Sequence, residues 1–131
     1  EMGARTIGQF EELIAWQRGM DLAVRVHELS RAGEWARDFV LRDQIHRSVI
    51  SVPANIAEGY ERGSRAEFHR FLMIAKGSCG ETRTHLHLAH RFGYLDTDTT
   101  TEALHSAEEV SRIISKLQSS VARQRDAAKR K

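Results

Sequence analysis

The chain has one proline and one cysteine in 131 residues, and aromatic side chains make up only 7% of it. A single cysteine excludes an intrachain disulfide and fits a reducing compartment. A single proline leaves the periodic segments almost uninterrupted, and no alternating strand-like run of useful length occurs. No apolar run approaches the roughly 20 residues that a membrane span requires. Residues Glu1 to Gln9 lack the apolar core of a signal peptide, so a cytoplasmic protein with no membrane partner is expected. Neither sign of charge dominates: 20 basic residues face 18 acidic ones, for a formal net charge of +2. That balance predicts weak attraction to any polyanion per copy of the chain.

Against those absences, 40% of residues are hydrophobic and 29% charged, as suits a globular domain. The length allows one domain over residues 1–131 with a single modest core, its ends 1–9 and 126–131 expected to be flexible. Helical spacing accounts for most of the chain. A first helix is predicted from about Glu12 to Arg31, ended by Ala32-Gly33. Leu13, Trp16, Met20, Ala23 and His27 keep a three-four spacing along it, and Leu22, Val26 and Leu29 form a second apolar row. A second helix is predicted from Phe39 to Gly59, with Leu41, Ile45, Val49, Val52 and Ile56 on its buried face. The third runs from Arg65 to about Phe92, roughly 40 Å at 1.5 Å per residue, with Phe68, Leu72, Ala75, Cys79, Thr82, Leu86 and Ala89 in register. The fourth runs from about Thr100 to Arg125 through Ala103, Ala107, Val110, Ile114, Leu117 and Val121. Short links imply antiparallel neighbours, hence an all-α, up-down-up-down four-helix bundle. Leu22, Val26 and Leu29, with Phe71 and Ile74, exceed what one seam needs and suggest a subunit interface.

The densest information lies from Ser51 to Glu67. Pro53 stands inside an apolar-periodic run, where it removes the bond to the carbonyl of Val49 and should kink the second helix. Asn55 is placed to reach carbonyls freed there. Gly59 closes the run, and Ser64-x-x-Glu67 reads as a capping box opening the next helix.

These residues resemble a known family. Phe10-x-x-Leu13-x-x-Trp16-Gln17, Gln44-Ile45, and above all Asn55-Ile56-Ala57-Glu58-Gly59, Arg62, Ser64, Glu67-Phe68, Arg70-Phe71-Leu72, Ile74-Ala75, Gly77-Ser78 and Glu81 are similar to the bacterial four-helix-bundle proteins called 23S ribosomal-RNA intervening-sequence proteins. The likeness covers nearly the whole chain. It implies a homopentameric ring of bundles and no established enzymatic activity. More distantly, such bundles look like accessory proteins of diversity-generating retroelements, which bind RNA and a reverse transcriptase. The chain departs from the pattern at His46, where a basic residue is usual, at Ser48, where a small apolar one is usual, and at Gly33-Glu34-Trp35-Ala36, which lacks a proline.

Several constellations could carry chemistry. Asn55, Glu58, Ser78 and Glu81 form a candidate polar network at the helix junction, serving either geometry or a ligand. Arg47, Arg62, Arg65 and Arg70, with Arg42, gather towards one end of the second and third helices as candidate nucleic-acid contacts. A basic tail of Arg123, Arg125, Lys129, Arg130 and Lys131 could add phosphate contacts. Metal binding fits poorly. His85 and His87 point about 200° apart on a helix, and Glu102-Ala103-Leu104-His105 is a lone Glu-x-x-His where a di-metal bundle needs two. No metal or cofactor is expected. Arg62 with His69, and Arg83 with His90, match a spacing used by some helical ribonucleases, a match that a chain rich in both residues produces by accident. Gly77-Ser78-Cys79-Gly80 follows no strand and is no phosphate loop. Cys79 falls on the core register as an inert thiol. The reading is a non-catalytic oligomeric adaptor that binds structured RNA. Its partners are itself, as a pentamer, and RNA or a nucleic-acid enzyme. The alternatives are a purely structural scaffold and a ribonuclease using Arg62 and His69.

Overall fold

Three of the four helices begin where a side chain takes over amide hydrogen bonds that a first turn leaves open. Asp38 accepts from Leu41 N at 3.1 Å, and Ser64 Oγ from Glu67 N at 3.2 Å. Asp96 accepts from Thr99 N at 2.7 Å. The computed structural model describes residues 8–129. In it these caps open α2 (Phe39–Glu61), α3 (Arg65–Arg91) and α4 (Thr97–Lys129). They follow α1 (Ile14–Ser30), which has no side-chain cap. Short 3-10 turns at Phe10–Glu12 and Gly33–Arg37 precede α1 and α2. Gly33, Gly63 and Gly93 take positive φ of 60°, 76° and 83° in the three connections, the left-handed region that closes a helix most easily with glycine.

The described residues are all-α, and each helix packs on two neighbours to close a four-helix bundle. The register of contacts is antiparallel. Along α1 and α2, Gly19 meets Val52 and Pro53 while Ser30 meets His46. Along α2 and α3, Gly59 meets Phe68 and Phe71 while Ser48 meets Thr82. Along α1 and α4, Arg18 pairs with Glu109 at 2.9 Å and Arg25 with Glu102 at 2.7 Å. The expected rows on α2, α3 and α4 are all in the core, Leu117 only partly. Burying side chains of the size of Ile45, Leu72 or Ile114 contributes about 1.5–3 kcal/mol each. Pro53 does lie inside α2, its ring packed towards Gly19 of α1.

The first helix corrects the sequence reading in two ways. It starts at Ile14, because Leu13 is extended (φ −73°, ψ 126°) after the 3-10 turn. Its buried face is Ala15, Gly19, Leu22, Val26 and Ser30. Val26 is 0% exposed and Leu22 2%, so these belong to the bundle's own core, and Met20, assigned to the core row, is 40% exposed. The face is shifted by one residue, about 100°, from the expected one. Phe71 likewise is buried in the monomer, whereas Ile74 is exposed. The fourth helix opens three residues earlier than expected, at Thr97, because Asp96 caps it. It continues to Lys129. The expectation for residues 1–7, 130 and 131 lies outside the described residues.

Candidate functional site

The residues singled out around Pro53 separate into two groups. The first is a polar seam between α2 and α3. Asn55 Nδ2 donates to the carbonyl oxygen and to Oγ of Ser51, both at 2.8 Å, and Ser51 and Ser78 share a hydrogen bond of 2.8 Å. Asn55 therefore returns to the carbonyl four residues back, not to the Val49 carbonyl that Pro53 releases. One turn along, Thr82 Oγ1 donates to Ser48 Oγ at 3.0 Å, and Ser48 lies 3.2 Å from Nδ1 of His85. Ser48, Ser78 and Thr82 are buried. The Ser48 hydroxyl joins the seam. Burial holds the His85 imidazole below its ordinary pKa, against the opposing pull of Glu81. Glu81 itself is exposed and takes no part in the seam.

The second group sits at the α2–α3 turn. Arg62 pairs with Glu58 at 2.7 Å and with Glu67 at 3.5 Å, and Arg70 pairs with Glu67 at 3.1 Å. Both guanidinium groups lie over the ring of Phe71, at 4.9 and 4.6 Å from its centroid. The hydrogen bond from Arg70 holds the Glu67 carboxyl below its usual range and raises Arg70 in turn. Glu67 is thereby drawn to the two arginines, so the capping box at Ser64 is half formed: Ser64 accepts from Glu67 N, and the Glu67 side chain points to cations. Of the four arginines proposed to contact nucleic acid, Arg62 and Arg70 are thus neutralised in place. Arg47 and Arg65 are exposed and have no ion pair among the described residues. Arg42 donates to the carbonyl of Ala36 at 2.9 Å and lies over Phe39.

At the opposite end of α2, the cap is shared. Tyr94 donates to Asp38 at 2.8 Å and stacks on the buried Trp35. The hydrogen bonds from the Leu41 amide and from Tyr94 hold the Asp38 carboxyl below its usual range. Nearby, His46 lies 2.7 Å from Ser30 Oγ, and its ring centroid is 5.3 Å from that of His27. Burial first, then the charges of His27, Arg42 and Arg31, hold His46 below its ordinary value, with Asp43 opposing. His27 in turn receives Arg31 at 3.0 Å.

No group of three metal-ligating side chains forms among the described residues. His90 contacts Thr97 at 3.3 Å. Arg62 and His69 make no contact with each other among the described residues, and neither do Arg83 and His90. Cys79 is buried, and burial pushes its thiol up to about 11. No helix among the described residues is long and apolar enough to cross a membrane.

Surface composition divides the bundle. Among the described residues, ten large hydrophobic side chains are exposed. Seven belong to α2, α3 and its C-cap: Phe39, Val40, Ile50, Met73, Ile74, Leu88 and Phe92. The other three are on α1, and none is on α4. Gly77 and Gly80 lie in the middle of α3, with nothing within 4 Å of a Cβ built on either. Beside α4, an open groove of about 420 Å³ has a floor of Leu13, Ile14, Ile113 and Leu117, with Lys116 and Arg123 also lining it. Sequence reasoning missed the division, because it depends on which face of each helix the packing uses.

An antiparallel four-helix bundle with a proline-bearing second helix and a hydroxyl seam defines the class of this protein. Residues 11–116 match the 23S rRNA-intervening sequence protein family. The chain belongs to that family. It is also similar to a solved structure of a protein of unknown function from the S23 ribosomal protein family of Bacteroides thetaiotaomicron VPI-5482. The two are 26% identical, with a TM-score of 0.73 over 80% of this chain and 98% of that one. No curated protein matches.

Proposed function

We propose that the protein is a non-catalytic assembly module whose copies associate into a ring, a pentamer, that holds structured RNA. The observation that carries this reading is the division of the surface. Large apolar side chains gather on α2 and α3, where Met73 is 54% and Val40 77% exposed, and α4 has none. Monomers rarely leave such a face uncovered. Gly77 and Gly80 support its use in assembly: each costs a helix about 1 kcal/mol relative to alanine, and a close-approaching neighbour makes that cost useful. Repetition around a ring would multiply phosphate contacts that are individually weak. Arg47 and Arg65 are available to make them.

Light scattering on the full chain, with RNA binding followed by fluorescence anisotropy across a salt series, tests the proposal. Self-association that Ile74→Asp abolishes, together with RNA affinity that falls steeply with salt, is expected. A stable monomer at micromolar concentration would refute the assembly. Assembly without RNA binding at low salt would leave a protein-only scaffold in its place. RNA cleavage lost on His69→Ala would establish the ribonuclease alternative instead.

A further inference from the structure

We infer that the second half of α4, from Arg112 onward, is the principal phosphate-contacting surface, ahead of the arginines at the α2–α3 turn. This rests on the RNA reading above and specifies where the RNA lies. Seven of the chain's 20 basic residues follow Val110, against one of its 18 acidic residues. The rest of the chain is therefore net acidic.

Geometry makes this charge usable. Arg112, Lys116, Ser119 and Arg123 follow the i, i+4, i+7, i+11 spacing, so they share one face of α4 over roughly 16 Å. Arg112, Lys116 and Arg123 are exposed, and none has an ion pair among the described residues. Arg62 and Arg70, by contrast, must each abandon a carboxylate before meeting a phosphate. Lys116 and Arg123 stand between two hollows, the apolar groove on one side and one of about 390 Å³ lined by Ser115 and Ser119 on the other. Hydroxyls beside cations suit phosphate oxygens, which accept from both. An anionic membrane is the weaker fit, because an interfacial helix needs large apolar side chains facing the lipid and α4 exposes none. The family match ends at residue 116. Arg112 and Lys116 lie within the matched segment and Arg123 beyond it.

The test uses the full-length protein, a fluorescent RNA hairpin, and phosphatidylglycerol vesicles. In one variant Arg112, Lys116 and Arg123 are all changed to Gln. In a second, Arg62 and Arg70 are changed to Gln. All five exchanges lie at exposed positions, and circular dichroism confirms that each protein is folded. A double variant with Lys116→Gln and Arg123→Gln stands in for the triple one if that fails to fold. The α4 variant is expected to lower the slope of log K against log salt by roughly 2 to 3, at about 0.7–0.9 per phosphate contact. The α2–α3 variant should leave the slope within about one contact of wild type. The reverse pattern would overturn the inference while leaving the RNA reading intact. Wild-type protein that binds no RNA at low salt would overturn both. Vesicle binding that the α4 variant abolishes, with RNA binding unchanged, would assign the stripe to membranes and overturn the inference.

Discussion

Replacing Gly59 with alanine should destabilise the protein even though it improves the helix. Alanine is favoured over glycine in a helix interior by about 0.8–1.0 kcal/mol. A Cβ at this position, however, would lie 2.6 Å from Cβ of Phe71 and 3.2 Å from Cδ1 of Phe68. Carbon atoms in good contact sit about 3.5–4.0 Å apart, so α2 and α3 must separate by about 1 Å near the turn. Neither neighbour is a flexible tip: the Phe71 atom is fixed to its backbone, and the Phe68 ring is buried against Tyr60 at 5.8 Å. Overpacking of this kind costs about 1–3 kcal/mol. After the propensity gain, a net loss of up to about 2 kcal/mol remains, visible as a lower urea midpoint at unchanged m-value. Gly77→Ala is the matched control. With open space around it, it should raise monomer stability by about 0.5–1 kcal/mol while weakening self-association. A Gly59→Ala protein as stable as wild type would show that the helices do not approach as closely as described, and would refute the reasoning.

Other outcomes follow from the same geometry. Val26→Asp should unfold the bundle, not merely dissociate an assembly, because it puts a charge at a fully buried site; loss of far-UV helicity, not only of mass, checks this. Stability should be intact above the ordinary histidine value of 6.5 and fall as pH drops below it towards the lower folded values of His46 and His85. The sign follows because the unfolded chain binds these protons more readily; chemical denaturation at a series of pH values reads it, and His46→Gln should reduce the dependence. Cys79 should resist a thiol reagent in the native state and react only as fast as the protein opens, since its thiol is both buried and raised to about 11. Tyr94→Phe should let the Asp38 carboxyl rise towards its usual range, measurable by NMR titration.

The bundle was legible in the sequence where large side chains mark one face. On α2, α3 and α4 a single apolar row at helical spacing coincides with the core. On α1 two rows compete, and the positions that fill the interface include Ala15, Gly19 and Ser30, whose small side chains add little hydropathy. Close approach selects for such residues, so the hydrophobic pattern misleads there. The start of α4 was missed because Asp96 announces it through one hydrogen bond, not through periodicity. At the candidate site, the sequence shows four arginines and does not show that Glu67 reaches back across the turn to Arg62. The Glu58–Arg62 pair was readable from its i, i+4 spacing. Of the hydroxyl seam, the sequence singled out Asn55 and Ser78, each of which bonds Ser51, while the linking roles of Ser48, Ser51 and Thr82 have no sequence pattern of their own.

That seam works as a key between two helices. A slip of α3 along α2 by one turn, about 5.4 Å, would still match apolar residues with apolar residues. It would separate Ser51 from Ser78 and Ser48 from Thr82, losing cross-helix hydrogen bonds worth about 0.5–1.5 kcal/mol each. Exchanging Ser48 for Ala and Thr82 for Val together therefore removes little stability and much uniqueness. The product would be a protein that still melts as a helical bundle but no longer holds a single alignment of its two central helices, and so could not present one consistent face to its neighbours.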